Sequence, residues 1–324
     1  MKKGSLLKAG AVAAAGCAGV SYILFDSVMN RSSKGFEKAY GIVKNNLSKA
    51  DIACIDDTPK PKDERKAWFN ECQKKEYTIT NQRGFHLKGY LIEAENPTKS
   101  FVFCSHGYRS SGCGDFGIMA KFYHDLGLNV FLVDHQASGK SEGKYISFGH
   151  YESKDCLLWL DYLKKVFGED ITIILHGISM GAATVLLMSG DACLPQNVKC
   201  VISDCGFTTM QAEFEHAIKY TKLPKTPFLN IADIYNKFYN SCSFKDVAPI
   251  ESVKRAKIPV LFIHGTSDDF VPTYMVHELF AACKGEKDLL LVKGAGHANS
   301  YKTDTPAYED KVKEFIKKYA GEQL

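Results

Sequence analysis

Ser179, Asp268 and His297 have the side-chain types that acyl transfer needs. A serine hydroxyl is a weak nucleophile. It requires a base within hydrogen-bond reach and a carboxylate that orients the base. Ser179 sits in Gly177-Ile178-Ser179-Met180-Gly181, after the apolar run Ile171-Thr172-Ile173-Ile174-Leu175 and before the small-residue stretch Ala182-Ala183-Thr184-Val185-Leu186-Leu187. That order reads as a buried strand, a sharp turn and a helix, with the serine at the tip. The glycines permit a crowded backbone that pushes the hydroxyl outward. The unpaired N–H groups opening the helix suit a developing oxyanion. Base and acid candidates leave two later strands, in His264-Gly265-Thr266-Ser267-Asp268-Asp269-Phe270-Val271-Pro272 and in Gly294-Ala295-Gly296-His297-Ala298.

Positioning these loops is the task of the flanking elements. Strands are expected over 77–80, 87–93, 101–105, 130–134, 171–175, 198–204, 259–264 and 289–292, and helices over 115–126, 151–167, 273–284 and 306–319. Strands separated by helices imply an α/β fold with a mostly parallel sheet of about eight strands, covered on both faces. The candidate loops then leave the C-terminal edge, where ligands gather in such sheets. Residues 207–256 break the rhythm. They hold Phe207, Phe214, Tyr220, Phe228, Tyr235, Phe238, Tyr239 and Phe244 and no clear strand. They read as a helical cap whose aromatics pack its own core, with some facing a pocket.

Four segments taken in order resemble the α/β-hydrolase superfamily over 76–320: Ser105-His106-Gly107-Tyr108, the serine turn, the H-G-x-x-D-x-x-V-P run and Gly294-Ala295-Gly296-His297. They are most similar to the bacterial serine aminopeptidase and monoacylglycerol-lipase-like branch. The resemblance implies that Ser179 is the nucleophile, Asp268 the orienting acid and His297 the general base, in the chain order of that fold. Asp269 is the rival acid. The oxyanion hole is expected from the backbone N–H groups of Tyr108 and Met180. The activity implied is cleavage of carboxylic esters without metal or cofactor. A peptidase, an amidase or an acyltransferase is the alternative.

Other candidates carry less. His106, His176 and His264 each precede a glycine at a strand end and read as turn histidines or supports for neighbouring groups. Gly112-Cys113-Gly114-Asp115-Phe116-Gly117 matches G-x-G-x-x-G, and Asp134 ends the next strand. Six residues separate that motif from its strand, so a pyrophosphate would miss the helix N-terminus and a dinucleotide is not expected. No C-x-x-C occurs, which leaves a zinc or thioredoxin-type site without support.

The 324 residues carry a net charge of +4, concentrated at the front. The first fifty hold eight Lys or Arg against two Asp or Glu. The remainder is slightly acidic, which argues against a nucleic-acid surface. Lys2, Lys3 and Lys8 flank an uncharged run over 9–25, about long enough to cross a bilayer. A single-pass anchor over 1–31 is therefore expected, followed by a helical lead-in over 32–75. A cleaved signal, a lipoprotein signal at Ala15-Gly16-Cys17 and a buried helix are the alternatives. The short basic N-terminus slightly favours a domain outside the cytoplasm. Ten cysteines beyond Cys17, several in apolar strands, favour the reducing side.

Overall fold

The structure, a computed structural model, describes residues 2–35, 37–38, 41–42 and 64–321. Most of the expected lead-in lies outside the described residues, and its last part forms the helix Glu64–Glu71. One eight-stranded sheet then organises the chain, in the order β1-β2-β4-β3-β5-β6-β7-β8. The strands are β1 (Lys75–Thr80), β2 (His86–Ile92), β3 (Ser100–Ser105), β4 (Asn129–Asp134), β5 (Thr172–Ile178), β6 (Val198–Asp204), β7 (Val260–Gly265) and β8 (Lys287–Val292). The β1–β2 and β2–β4 pairs are antiparallel, and the pairs from β4 through β8 are parallel.

β4 and β7 are buried at every position, which explains why they read as continuous apolar runs rather than alternating ones. One face packs Phe116, Tyr123, Tyr308 and Phe315. The other packs Phe103, Leu175, Trp159 and Leu163. On the second face the helix His150–Phe167 presents Cys156, Trp159, Leu160 and Leu163, one stripe at three- and four-residue spacing. The helix expected over 115–126 is two short helices, Gly112–Phe116 and Ala120–Asp125. Gly117, among the poorest helix formers, sits at the break. The ten described cysteines are free thiols, six of them buried.

The expected cap is helical. It comprises the helix Met210–Ala217, a 3₁₀ turn at Ile218–Thr221 and the helix Lys225–Asn240.

The N-terminal expectation is corrected. Residues 2–29 form one helix, Lys2–Met29, called α1 below. No helix among the described residues is long and apolar enough to cross a membrane. The run is rich in alanine and glycine, so its length is adequate while its hydropathy falls short. Its C-terminal half buries Ser21, Phe25, Ser27 and Met29, and α1 packs along the cap helix Lys225–Asn240. A single-pass anchor over 1–31, and the membrane location drawn from it, have no support in this arrangement.

Candidate active site

β5 ends at Ile178 and the next helix, Met180–Ser189, begins two residues later, so Ser179 alone makes the turn. Its backbone lies at φ 55° and ψ −116°, a conformation few non-glycine residues adopt. Its N–H donates to the Asp204 carbonyl at 2.8 Å. The two glycines are required by close approach. A Cβ at Gly177 would lie 2.1 Å from the Gly181 carbonyl oxygen, and one at Gly181 would lie 1.9 Å from that of Ser105. The obstacles are backbone and cannot swing aside. Gly181→Ala should therefore destabilise the protein by more than about 3 kcal/mol, read by denaturant unfolding.

Ser179, His297 and Asp268 come together from loops after β5, β8 and β7. Ser179 Oγ lies 2.8 Å from His297 Nε2, and His297 Nδ1 lies 2.9 Å from Asp268 Oδ2. The carboxylate can only accept, so Nδ1 carries the proton and Nε2 is left to accept from the serine hydroxyl. Asp268 is buried. Burial alone would raise its pKa, but His297 and the hydrogen bonds from His264 and His297 outweigh it and hold the carboxyl at about 2. Its Oδ1 also accepts from the N–H groups of Phe270 and Val271 at 3.1 and 2.8 Å. Burial pulls the His297 pKa down, yet the Asp268 charge lifts it well above 6.5.

His264 reaches the same carboxylate. Its Nε2 lies 3.1 Å from Asp268 Oδ2 and 2.9 Å from the Val271 carbonyl. A carbonyl accepts only, so this nitrogen is the donor to both. Asp269, by contrast, is exposed, and its carbonyl accepts from His216 and Tyr220.

Ser179 opens onto a cavity enclosing about 1120 Å³, part of it solvent-open. Tyr108 and Met180 both line it, and Met180 is the first residue of its helix. Phe207, Phe214 and Phe244 of the aromatic insertion line it too. Tyr235, Phe238 and Tyr239 instead form an aromatic cluster with Tyr22 and Phe25 of α1. Among the described residues, Glu213 is the only carboxylic side chain on the cavity wall. It is buried, and its Oε2 has no hydrogen-bond partner among the described residues.

Burial pushes the Glu213 carboxyl from an ordinary 4.5 up to about 8. The unfolded chain releases this proton near pH 4.5, while the folded one keeps it until about pH 8. Its contribution is thus fully present below pH 4.5 and is lost as pH rises to about 8. Glu213→Gln should gain stability over wild type by up to about 4 kcal/mol between pH 5 and 8, read by urea denaturation.

The remaining candidates hold structure. Burial pushes His176 down to about 3, and it sits between the hydroxyls of Tyr123 and Tyr308 at 2.6 and 3.1 Å. His106 is buried, with Nδ1 on the Gly107 carbonyl and Nε2 accepting from the His135 N–H. Asp134 accepts from the N–H groups of Gly112 and Lys140. A Cβ at Gly112 would meet the Val133 carbonyl at 2.7 Å, so that glycine serves packing against β4.

His264 read only as a turn or supporting histidine, and its contact with Asp268 lies within its own segment. Glu213 and Cys205 were missed as neighbours of the site, because they sit on other segments and leave no periodic trace. Cys205 is buried after β6, and its sulfur lies within 4.8 Å of ligand atoms of Asp268 and His297. This sulfur, oxygen and nitrogen set suits a soft cation, but only at the expense of the Asp268–His297 hydrogen bond.

Sequence and structure comparisons agree with this architecture. An esterase of Pyrococcus furiosus superposes with a TM-score of 0.64 at 24% identity, over 82% of this chain and 96% of its own, which shows the α/β-hydrolase fold. The alpha/beta hydrolase domain-containing protein 17B of Xenopus tropicalis is 24% identical over 72% of this chain and 74% of its own. YqkD of Bacillus subtilis, itself uncharacterized, is 31% identical over 76% of this chain and 81% of its own. The match over residues 115–323 is not to the aminopeptidase and lipase-like branch that the motifs resemble. Those residues match the prolyl oligopeptidase family, and the chain belongs to it.

Proposed function

We propose that this hydrolase cleaves carboxylic esters of apolar acyl groups through an acyl-enzyme on Ser179. The observation that carries the reading is the relay from Ser179 Oγ through His297 to Asp268, at 2.8 and 2.9 Å, opening onto an apolar cavity. Ser179 Oγ attacks the ester carbonyl while His297 Nε2 takes its proton. The oxyanion meets the N–H groups of Met180 and Tyr108, each worth about 100- to 1000-fold in rate. Collapse expels the alcohol, which takes its proton from His297. Water activated by the same histidine then frees the acid and restores the serine.

The membership in the prolyl oligopeptidase family favours a second reading, a peptidase or amidase on the same residues. Both readings use the same nucleophile and differ in the leaving group, an alcohol or an amine. An acyltransferase would differ only in letting an alcohol outcompete water.

A fluorophosphonate probe should label the protein at Ser179, as mapped by peptide mass. A panel of matched esters and aminoacyl amides, run with and without added alcohol, then ranks the readings. No labelling sinks the serine mechanism. Faster amide than ester turnover sinks the ester assignment, and transfer to the alcohol exceeding hydrolysis makes the protein a transferase.

A further inference from the structure

The segment that reads as a membrane anchor ends inside the catalytic cavity. Leu24, Phe25, Val28 and Met29 of α1 line the same space as Ser179. Phe25 also meets Tyr145 and Tyr239 at ring distances of 5.6 and 5.5 Å, and Tyr22 meets Tyr235 at 5.3 Å. The helix is thus clasped by aromatic rings of the cap and of the loop after β4.

Its C-terminal end is held more firmly. The last carbonyls of a helix have no intrahelical partner and carry a partial negative charge. Arg109 supplies a cation there. Its guanidinium donates to the carbonyls of Ser27 and Asn30 at 3.0 and 2.6 Å, and to that of Arg31 at 3.1 Å. The neighbouring Tyr108 hydroxyl donates to the Val28 carbonyl at 2.5 Å. From the other side the Ile146 N–H donates to the Met29 carbonyl at 2.8 Å, and Arg31 donates to the carbonyls of Ser141 and Gly139. Loops after β3 and β4 therefore grip the last turn of α1, which presents Val28 to the cavity, with Leu24 one turn before it.

We propose that α1 is the specificity-determining wall of the acyl pocket, with Leu24 and Val28 setting the length of aliphatic chain the enzyme accepts. The inference rests on the ester-hydrolase reading. The uncharged run near the N-terminus then has a use that no bilayer supplies. Its apolar side chains meet the acyl chain of the substrate, and the clamp at Tyr108 and Arg109 holds them at a constant distance from Ser179. A larger side chain at position 28 takes up the space of several methylenes, each worth about 0.8 kcal/mol of burial, or roughly fourfold in binding. A smaller one at position 24 opens space.

The test uses full-length wild type, Val28→Trp and Leu24→Ala with 4-nitrophenyl esters from acetate to palmitate. The readout is the ratio of kcat/KM for each chain length to that for acetate. Val28→Trp should lower the octanoate-to-acetate ratio at least tenfold, and Leu24→Ala should move the optimum to longer chains. Fluorophosphonate labelling of each variant reports whether Ser179 is still competent. If Val28→Trp does not label, Leu24→Ala decides. Labelled variants with the wild-type chain-length profile overturn the wall. A wild type that neither labels nor turns over any ester overturns the hydrolase reading instead, and the wall with it.

Discussion

Ser179→Ala should lower kcat for a 4-nitrophenyl ester by about a millionfold, the scale of losing the nucleophile of a serine triad. The geometry behind this number is one hydrogen bond, from Ser179 Oγ to His297 Nε2 at 2.8 Å. On the proposed mechanism no acyl-enzyme forms without the hydroxyl, and His297 is left only to activate water against an ester it was not placed to meet. A residual acceleration of about 10³ to 10⁴ over solution should remain, since binding and the oxyanion donors survive. The substitution keeps a Cβ at φ 55°, so it adds no backbone strain that serine lacks. Far-UV circular dichroism and the unfolding midpoint should therefore match wild type. A folded variant keeping a hundredth of the wild-type rate would remove Ser179 from the chemistry.

Asp268→Asn should cost about 10⁴-fold in kcat with little change in the fold. The amide is nearly the shape of the carboxylate, but its NH₂ can face His297 Nδ1. The proton then moves to Nε2, where it blocks acceptance from Ser179. On the proposed mechanism Asp268 also sets the pH range. His297 works as a base only when neutral, so kcat/KM rises with pH as His297 loses its proton. Against the lowering by burial, the Asp268 charge holds its pKa well above 6.5, and the acid limb of the wild-type profile should lie above that pH. Removing the charge should move the limb of the residual activity to lower pH. An unmoved limb would mean that Asp268 does not act on the group that titrates. Since His264 donates to the same oxygen at 3.1 Å, its replacement should shift the limb too, by less.

How much of this could be read without coordinates depended on whether the signal was local. The central strands were readable because strands buried on both faces leave unbroken apolar runs, as in β4 and β7. The serine turn was readable because its two glycines answer to contacts a Cβ would make below 2.2 Å. The loops carrying Asp268 and His297 could be named from motif order. Their distances could not, because these depend on how β7 and β8 follow β6 across the sheet. Glu213, on the helix Met210–Ala217, was out of reach for the same reason. Glu213 sits in no motif, and His264 opens one without showing that its ring reaches the Asp268 carboxylate.

The N-terminal run shows the limit most plainly. An uncharged stretch of bilayer length gives the same pattern whether its apolar side chains face lipid, a protein core or a bound acyl chain. Composition and order alone determined the fold class, the serine turn and the loops that carry Asp268 and His297. Only the tertiary structure decided that α1 docks on the cap, with Arg109 and Tyr108 holding its last carbonyls. It also decided that, among the described residues, a single carboxyl lines the largely apolar cavity beside Ser179. Periodicity records which side of an element is apolar. It does not record what that side meets, since the partner is supplied by residues a hundred positions away.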